Sequence, residues 1–345
     1  MDTRAGRTQR AHCETTNIGN GIGVGLLLVT IASPQLREHS ECQPGGRVLV
    51  DAHNAYPEEG RHGNRIARAI ATGVPVAIEQ DLVWCKGANG VYDVFVAHET
   101  TCRGDEPTLR KYFFESVKPL VEAALASGQK DDWPIVTLNL DFKMDPPDLH
   151  AAVWALLGEY RAWLTTAPRT ATPDTPAPLE VGPILVLTGQ ADAQEARFHD
   201  AVPIGDRLLL FGAVHDAPPP SDAAAGDTPI PMPATNYRRW WNHPWQVVEP
   251  EGQPAAGAWT PIDSARLTHI VTAAHAAGLW IRFYTLNGAP AGESGAQGWS
   301  PSYNFGLVEA AETRWRAARD AGVDFIATDQ YEQLAAFLHT SRTRP

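Results

Sequence analysis

Several absences narrow the field before any motif is read. Only four cysteines occur in 345 residues, Cys13, Cys42, Cys85 and Cys102, and none belongs to a CxxC or CxxH pair. That excludes the closely spaced ligands of a structural zinc site. Positive charge is short: 28 lysines and arginines stand against 40 aspartates and glutamates, a formal charge of −12. Broad binding to nucleic acid, or adhesion to an anionic membrane, requires the opposite balance. No stretch is long enough to span a bilayer; the uncharged apolar run at 22–32 has eleven residues, where a helix needs about twenty. No glycine-rich phosphate loop follows the first expected strand, as dinucleotide-binding folds require. There is no internal repeat.

What is present is a chain with 43% hydrophobic residues, enough for a sizeable core. Its first 21 residues are polar and carry Arg4, Arg7 and Arg10; the apolar run 22–32 follows, then Ser33 and Pro34. A basic lead, a short apolar centre and small residues behind it form the pattern of a secretory signal. Residues 1–46 are therefore expected to be leader and linker, and the protein to be exported, or cytoplasmic if the leader is kept. Residues 47–345 are expected to form one domain.

Within that domain, short β-branched or apolar runs alternate with helical spacing. Strands are expected at 47–50, 74–83, 91–98, 134–143, 183–189, 207–214, 278–286 and 323–328. Helices are expected at 64–72, 109–126, 147–164, 263–277, 308–321 and 332–338. The segment 218–233 is rich in proline, alanine and glycine and reads as a loop. The aromatic stretch 236–245 (NYRRWWNHPW) fits a lid or cleft wall. Alternation of this kind implies a largely parallel sheet, and eight strands with no phosphate loop point to an α/β fold of the (β/α)8 TIM-barrel type.

The polar residues of interest gather at strand ends, the rim on which such barrels build their sites. Glu79 and Asp81 are one residue apart, so on a strand both side chains point the same way. Two anions that close repel unless a cation or proton lies between them. At a barrel rim the pair suits a hard divalent ion, Mg2+ or Ca2+; a solvated pair, or one tied to arginines, is the alternative. Asp141 ends another strand, with Lys143 and Asn139 on its face and Lys143 positioned to meet an anion. His53 and His98 each close an apolar run, where packing is the ordinary role of a lone histidine. Two of them with three carboxylates on one rim make a case for general acid–base chemistry. Cys85 and Cys102 bracket the run that ends in His98, either bridged or as two buried thiols.

In order, His53-Asn54, Glu79-x-Asp81, His98, Asp141-x-Lys143 and the closing Ile326–Asp329 (IATD) resemble the phosphatidylinositol-phospholipase-C-like phosphodiesterase superfamily. The pattern is most similar to the branch named for altered inheritance of mitochondria, and the spacing of Cys85 and Cys102 resembles the loop disulfide of sphingomyelinase D. The His-Arg-Gly and Glu-Asn-Thr signature of glycerophosphodiester phosphodiesterases is absent, since Asn54 follows His53. The resemblance implies a metal-dependent enzyme that cleaves a phosphodiester, a phospholipid headgroup or a glycerophosphodiester-like compound. It implies Glu79, Asp81 and Asp141, with Asn54, as ligands of one divalent cation, and His53 and His98 as general base and general acid. From strand-end position, Lys143 and Arg282 are expected to bind anionic oxygen, and Trp241, Trp280 and Tyr284 to wall the substrate pocket. Two other functions fit the same residues: a barrel glycoside hydrolase using two of the three carboxylates, and a non-catalytic barrel that binds a lipid headgroup or a partner.

Overall fold

The computed structural model describes residues 42–342, apart from 59, 219–227 and 291. The expected leader, Cys13 and much of the 218–233 loop lie outside the described residues. The strands are β1 (Leu49–Ala52), β2 (Val76–Lys86), β3 (Tyr92–Val96), β4 (Val136–Phe142), β5 (Ala167–Pro168), β6 (Ile184–Thr188), β7 (Arg207–Leu208), β8 (Phe211–Ala213), β9 (Arg238–Pro244), β10 (Trp280–Tyr284) and β11 (Phe325–Thr328). Eight of them, β1, β2, β4, β6, β8, β9, β10 and β11, run parallel, and the pairing of β1 with β2 closes the sheet. This is the expected (β/α)8 barrel, with two strands differently assigned.

The run expected at 91–98 is not a barrel strand. It contributes β3, which pairs antiparallel with β2 from Leu82↔Val96 to Lys86↔Tyr92. The physical reason is the length of the connection. Residues 87–91 suffice for a hairpin, whereas a parallel neighbour needs a crossover of about a dozen residues. The missing barrel strand is β9, inside the segment read as a lid. Its two arginines hid it, and both are buried with partners. Arg238 donates to Glu195, Asp192 and the carbonyl oxygens of Gln190 and Ala213. Arg239 donates to the carbonyl oxygens of Asn236 and Ala177.

Strand periodicity divides the core in two. One set of positions, including Leu49, Ala77, Leu185, Leu187, Phe211, Trp240, Trp280 and Phe325, fills the barrel interior. The alternate set, including Val50, Ile78, Leu138, Val186, Trp241, Ile281 and Ile326, packs against the surrounding helices. The helix Pro261–Ala276 starts at Thr260 rather than at Asp263. Thr260 accepts from the Asp263 amide at 3.3 Å and Asp263 accepts from the Thr260 amide at 2.9 Å, a reciprocal cap worth about 1 kcal/mol.

Candidate active site

The carboxyl ends of the barrel strands open into a cleft of about 600 Å3. Register explains its composition. Glu79 is paired in register with Asn139, Asp81 with Asp141, and Arg282 with Asn242. All face inward and lie nearer the carboxyl ends of their strands than Ala77, Trp240 and Trp280 of the apolar fill. Asp51 lies on the same face of β1, and His53, one residue past that strand, continues it at the rim.

The chain turns sharply after His53. Asn54 has φ 51°, in the left-handed region that asparagine tolerates better than most residues. Arg65, 1% exposed, holds this turn by donating to the carbonyl oxygens of Asn54 at 2.9 Å and Tyr56 at 3.1 Å. The amide of Asn54 is engaged on both sides. Its Oδ1 accepts from the Tyr56 hydroxyl at 2.7 Å, and its Nδ2 donates to Asp329 at 3.1 Å.

His53 is buried between two carboxylates. Its Nδ1 lies 2.9 Å from Asp329 Oδ1 and its Nε2 lies 3.5 Å from Glu79 Oε2. Burial disfavours the imidazolium, but Glu79 and Asp329 outweigh it and raise the His53 pKa. Asp329 follows β11, the strand beside β1, and is clamped by Asn287. That amide donates to Asp329 Oδ2 at 2.5 Å and accepts from the Asp329 backbone N–H at 2.8 Å. No role was expected for Asp329 from sequence. The available signal was a carboxylate just past the last strand, which barrel closure places next to His53.

Three carboxylates converge on one point. Glu79, Asp81 and Asp141 each offer an oxygen within 4.8 Å of the others. Lys143 lies across two of them, with Nζ 2.9 Å from Asp81 and 2.7 Å from Asp141. Glu79 is contacted by Arg282 at 3.2 Å and accepts from the Asn54 backbone N–H at 3.3 Å. Burial would raise its pKa, yet Arg282, His53 and Lys143 together hold it at about 2. Asp81 behaves oppositely. Burial first and the Glu79 charge second push it up to about 8, against the pull of Lys143. Its Oδ2, close to Lys143 but outside hydrogen-bond geometry, is buried without a hydrogen-bond partner. An all-oxygen set of three converging carboxylates, with an ammonium lying against two of them, fits a hard divalent ion such as Mg2+ or Ca2+.

The remaining expected residues divide. His98 reaches the cleft because the β2–β3 hairpin folds back over the rim; the Ala97 amide donates to the Asp81 carbonyl oxygen at 3.1 Å. His98 itself is exposed, 3.4 Å from Glu99. The Cys85–Cys102 disulfide ties its loop to β2. Tyr284 lines the cleft with Tyr303 and Trp299. Trp280 does not; it is two residues below Arg282 on the inward face and belongs to the barrel fill. Trp241 faces outward into the helix layer and donates to Asp216 at 2.8 Å. Arg282 is at the cleft floor, 1% exposed, with its guanidinium taken by Asp51, Glu79 and Asn242.

No protein-family model and no curated protein matches this sequence. Among solved structures, the chain is similar to a glycerophosphodiester phosphodiesterase from Parabacteroides distasonis, at 12% identity over 86% of this chain and 98% of that one, with a TM-score of 0.46. A glycerophosphoryl diester phosphodiesterase from the same organism matches at 12% identity over 85% and 87%, with a TM-score of 0.39. A glycerophosphodiester phosphodiesterase from Agrobacterium tumefaciens matches at 14% identity over 84% and 100%, with a TM-score of 0.36.

Proposed function

We propose that this chain is a phosphoric diester hydrolase or lyase that works with one divalent cation, Mg2+ or Ca2+, and acts on a lipid headgroup or a similar small phosphodiester. The observation that carries this reading is the convergence of Glu79, Asp81 and Asp141 beside a histidine that is itself held by a carboxylate. Those three side chains would hold the ion, with Asn54 orienting the turn and Asp329 rather than acting as a principal ligand. When bound, the ion supplies positive charge to a non-bridging phosphate oxygen.

The protein's own groups do the rest. Asp329 accepts from Nδ1–H of His53, which sets the tautomer and turns Nε2 toward the cleft, where it takes or gives a proton at the reacting oxygen. His98, on the hairpin at the cleft mouth, is the second acid–base group. Lys143 is free to turn from the carboxylates to the remaining anionic oxygen once their charge is met. Arg282 serves below the phosphate, keeping Glu79 ionised. The glycoside hydrolase reading loses support from the same geometry. That reading leans on a tryptophan-rich cleft, and neither Trp241 nor Trp280 lines it; among the described tryptophans only Trp299 does.

Hydrolysis of bis-p-nitrophenyl phosphate tests this reading. Activity is expected to require Mg2+ or Ca2+ and to vanish in EDTA. His53→Ala is expected to lower kcat by about 100- to 10,000-fold with an unchanged circular dichroism spectrum. Full activity in both the chelated protein and the variant would put the site elsewhere.

A further inference from the structure

A second pocket lies at the other end of the barrel. Helices of this fold run antiparallel to the strands, so the carboxyl end of the helix Pro147–Glu159 and the chain entering β8 both lie on the amino-terminal face. Between them is a pocket of about 310 Å3 that shares no lining residue with the cleft. Arg161, Arg197 and Arg207 line it, together with the half-buried Trp154 and a single acid, Asp206. Three arginines in one small pocket run against the grain of a chain whose formal charge is −12.

The arginines are not equally satisfied. Arg207 is paired with Glu180 and donates to Thr166. Among the described residues, neither Arg161 nor Arg197 has a carboxylate oxygen within 4.0 Å, Asp206 included. The Nε of Arg197 is buried with no hydrogen-bond partner, and an unmet buried N–H is costly. Trp154 is held in a stack on Phe198, with ring centroids 6.2 Å apart and planes at 25°.

The structure assigns this pocket to a phosphate-bearing small molecule. Guanidinium forks pair with phosphate oxygens two at a time, Arg161 and Arg197 line the pocket with no carboxylate partner among the described residues, and the indole gives a flat wall for an organic remainder. This assignment rests on its own residues and stands apart from the diesterase reading.

Calorimetric titration of the full chain in EDTA, with inorganic phosphate and separately with phenyl phosphate, tests it. One site per chain is expected. Arg161→Gln, at an exposed position that does not threaten the fold, is expected to weaken it about tenfold, as is Arg197→Gln, while Lys143→Met in the cleft leaves it unchanged. Tighter binding of phenyl phosphate identifies an organic phosphomonoester as the ligand, and equal affinity identifies free phosphate. Absence of binding by the wild type at millimolar phosphate overturns the assignment. So does binding that both arginine variants retain, or binding that Lys143→Met abolishes.

Discussion

Replacing Asp81 by asparagine is expected to abolish phosphodiester cleavage and at the same time to stabilise the ion-free protein. The two effects have one origin. Asp81 is 1% exposed, and burial with the neighbouring Glu79 charge raises its pKa from 3.8 to about 8. Between those values the folded chain holds a proton that the unfolded chain has released, so stability falls as pH rises from about 4 to about 8. Asparagine removes that loss. A gain of about 2–4 kcal/mol at pH 8, on the order of 10 °C in Tm, is expected, shrinking to little at pH 4. Activity moves the other way. Losing a ligand oxygen and the charge it holds removes about 4 kcal/mol of transition-state stabilisation, roughly a thousandfold in kcat. Calorimetric melting at both pH values, alongside the diesterase assay, checks both halves. A variant that melts like the wild type at pH 8 and still turns over substrate would remove Asp81 from the ion site.

Arg282→Met is expected to be the most destabilising single change in the barrel interior. Arg282 and Asp51 are each 1% exposed and Glu79 4%, and the guanidinium answers both carboxylates while donating to Asn242 at 3.1 Å. Methionine fills much of the volume but leaves Asp51 without its cation and Glu79 without the nearest of its own, a loss of about 3–5 kcal/mol. Burial already raises the pKa of Asp51, and Arg282 is the chief force opposing it. Adding Asp51→Asn to the variant should therefore recover part of the stability, a coupling that urea unfolding of the two single variants and the double variant measures. Equal stability of wild type and Arg282→Met would show that the ion pair is dispensable.

The barrel was legible because its outward-facing strand positions are apolar and its helices follow most strands with clear stops. Membership of the barrel was harder. The 91–98 run has strand composition, and only the short connection at 87–91 distinguishes a hairpin from a crossover. β9 carries Arg238, Arg239, Asn242 and His243, and its buried arginines look like surface residues until their partners are known. The carboxylates of the candidate site could be grouped because Glu79 and Asp81 share one strand and Asp141 ends another. Asp329 could not be given a role, because its neighbour His53 is 276 residues away and meets it only through barrel closure. The tryptophans were misplaced by parity and level: Trp241 is one residue out of phase with the inward face, and Trp280 is in phase but one layer too low.

Isothermal titration with Mg2+ and with Ca2+ bears most directly on the central claim, because it reads the ion site without reference to substrate. The account predicts one ion per wild-type chain, bound with a rise in Tm, and binding lost in Asp81→Asn. No saturable binding of either ion by the wild type, or undiminished binding by Asp81→Asn, would contradict it.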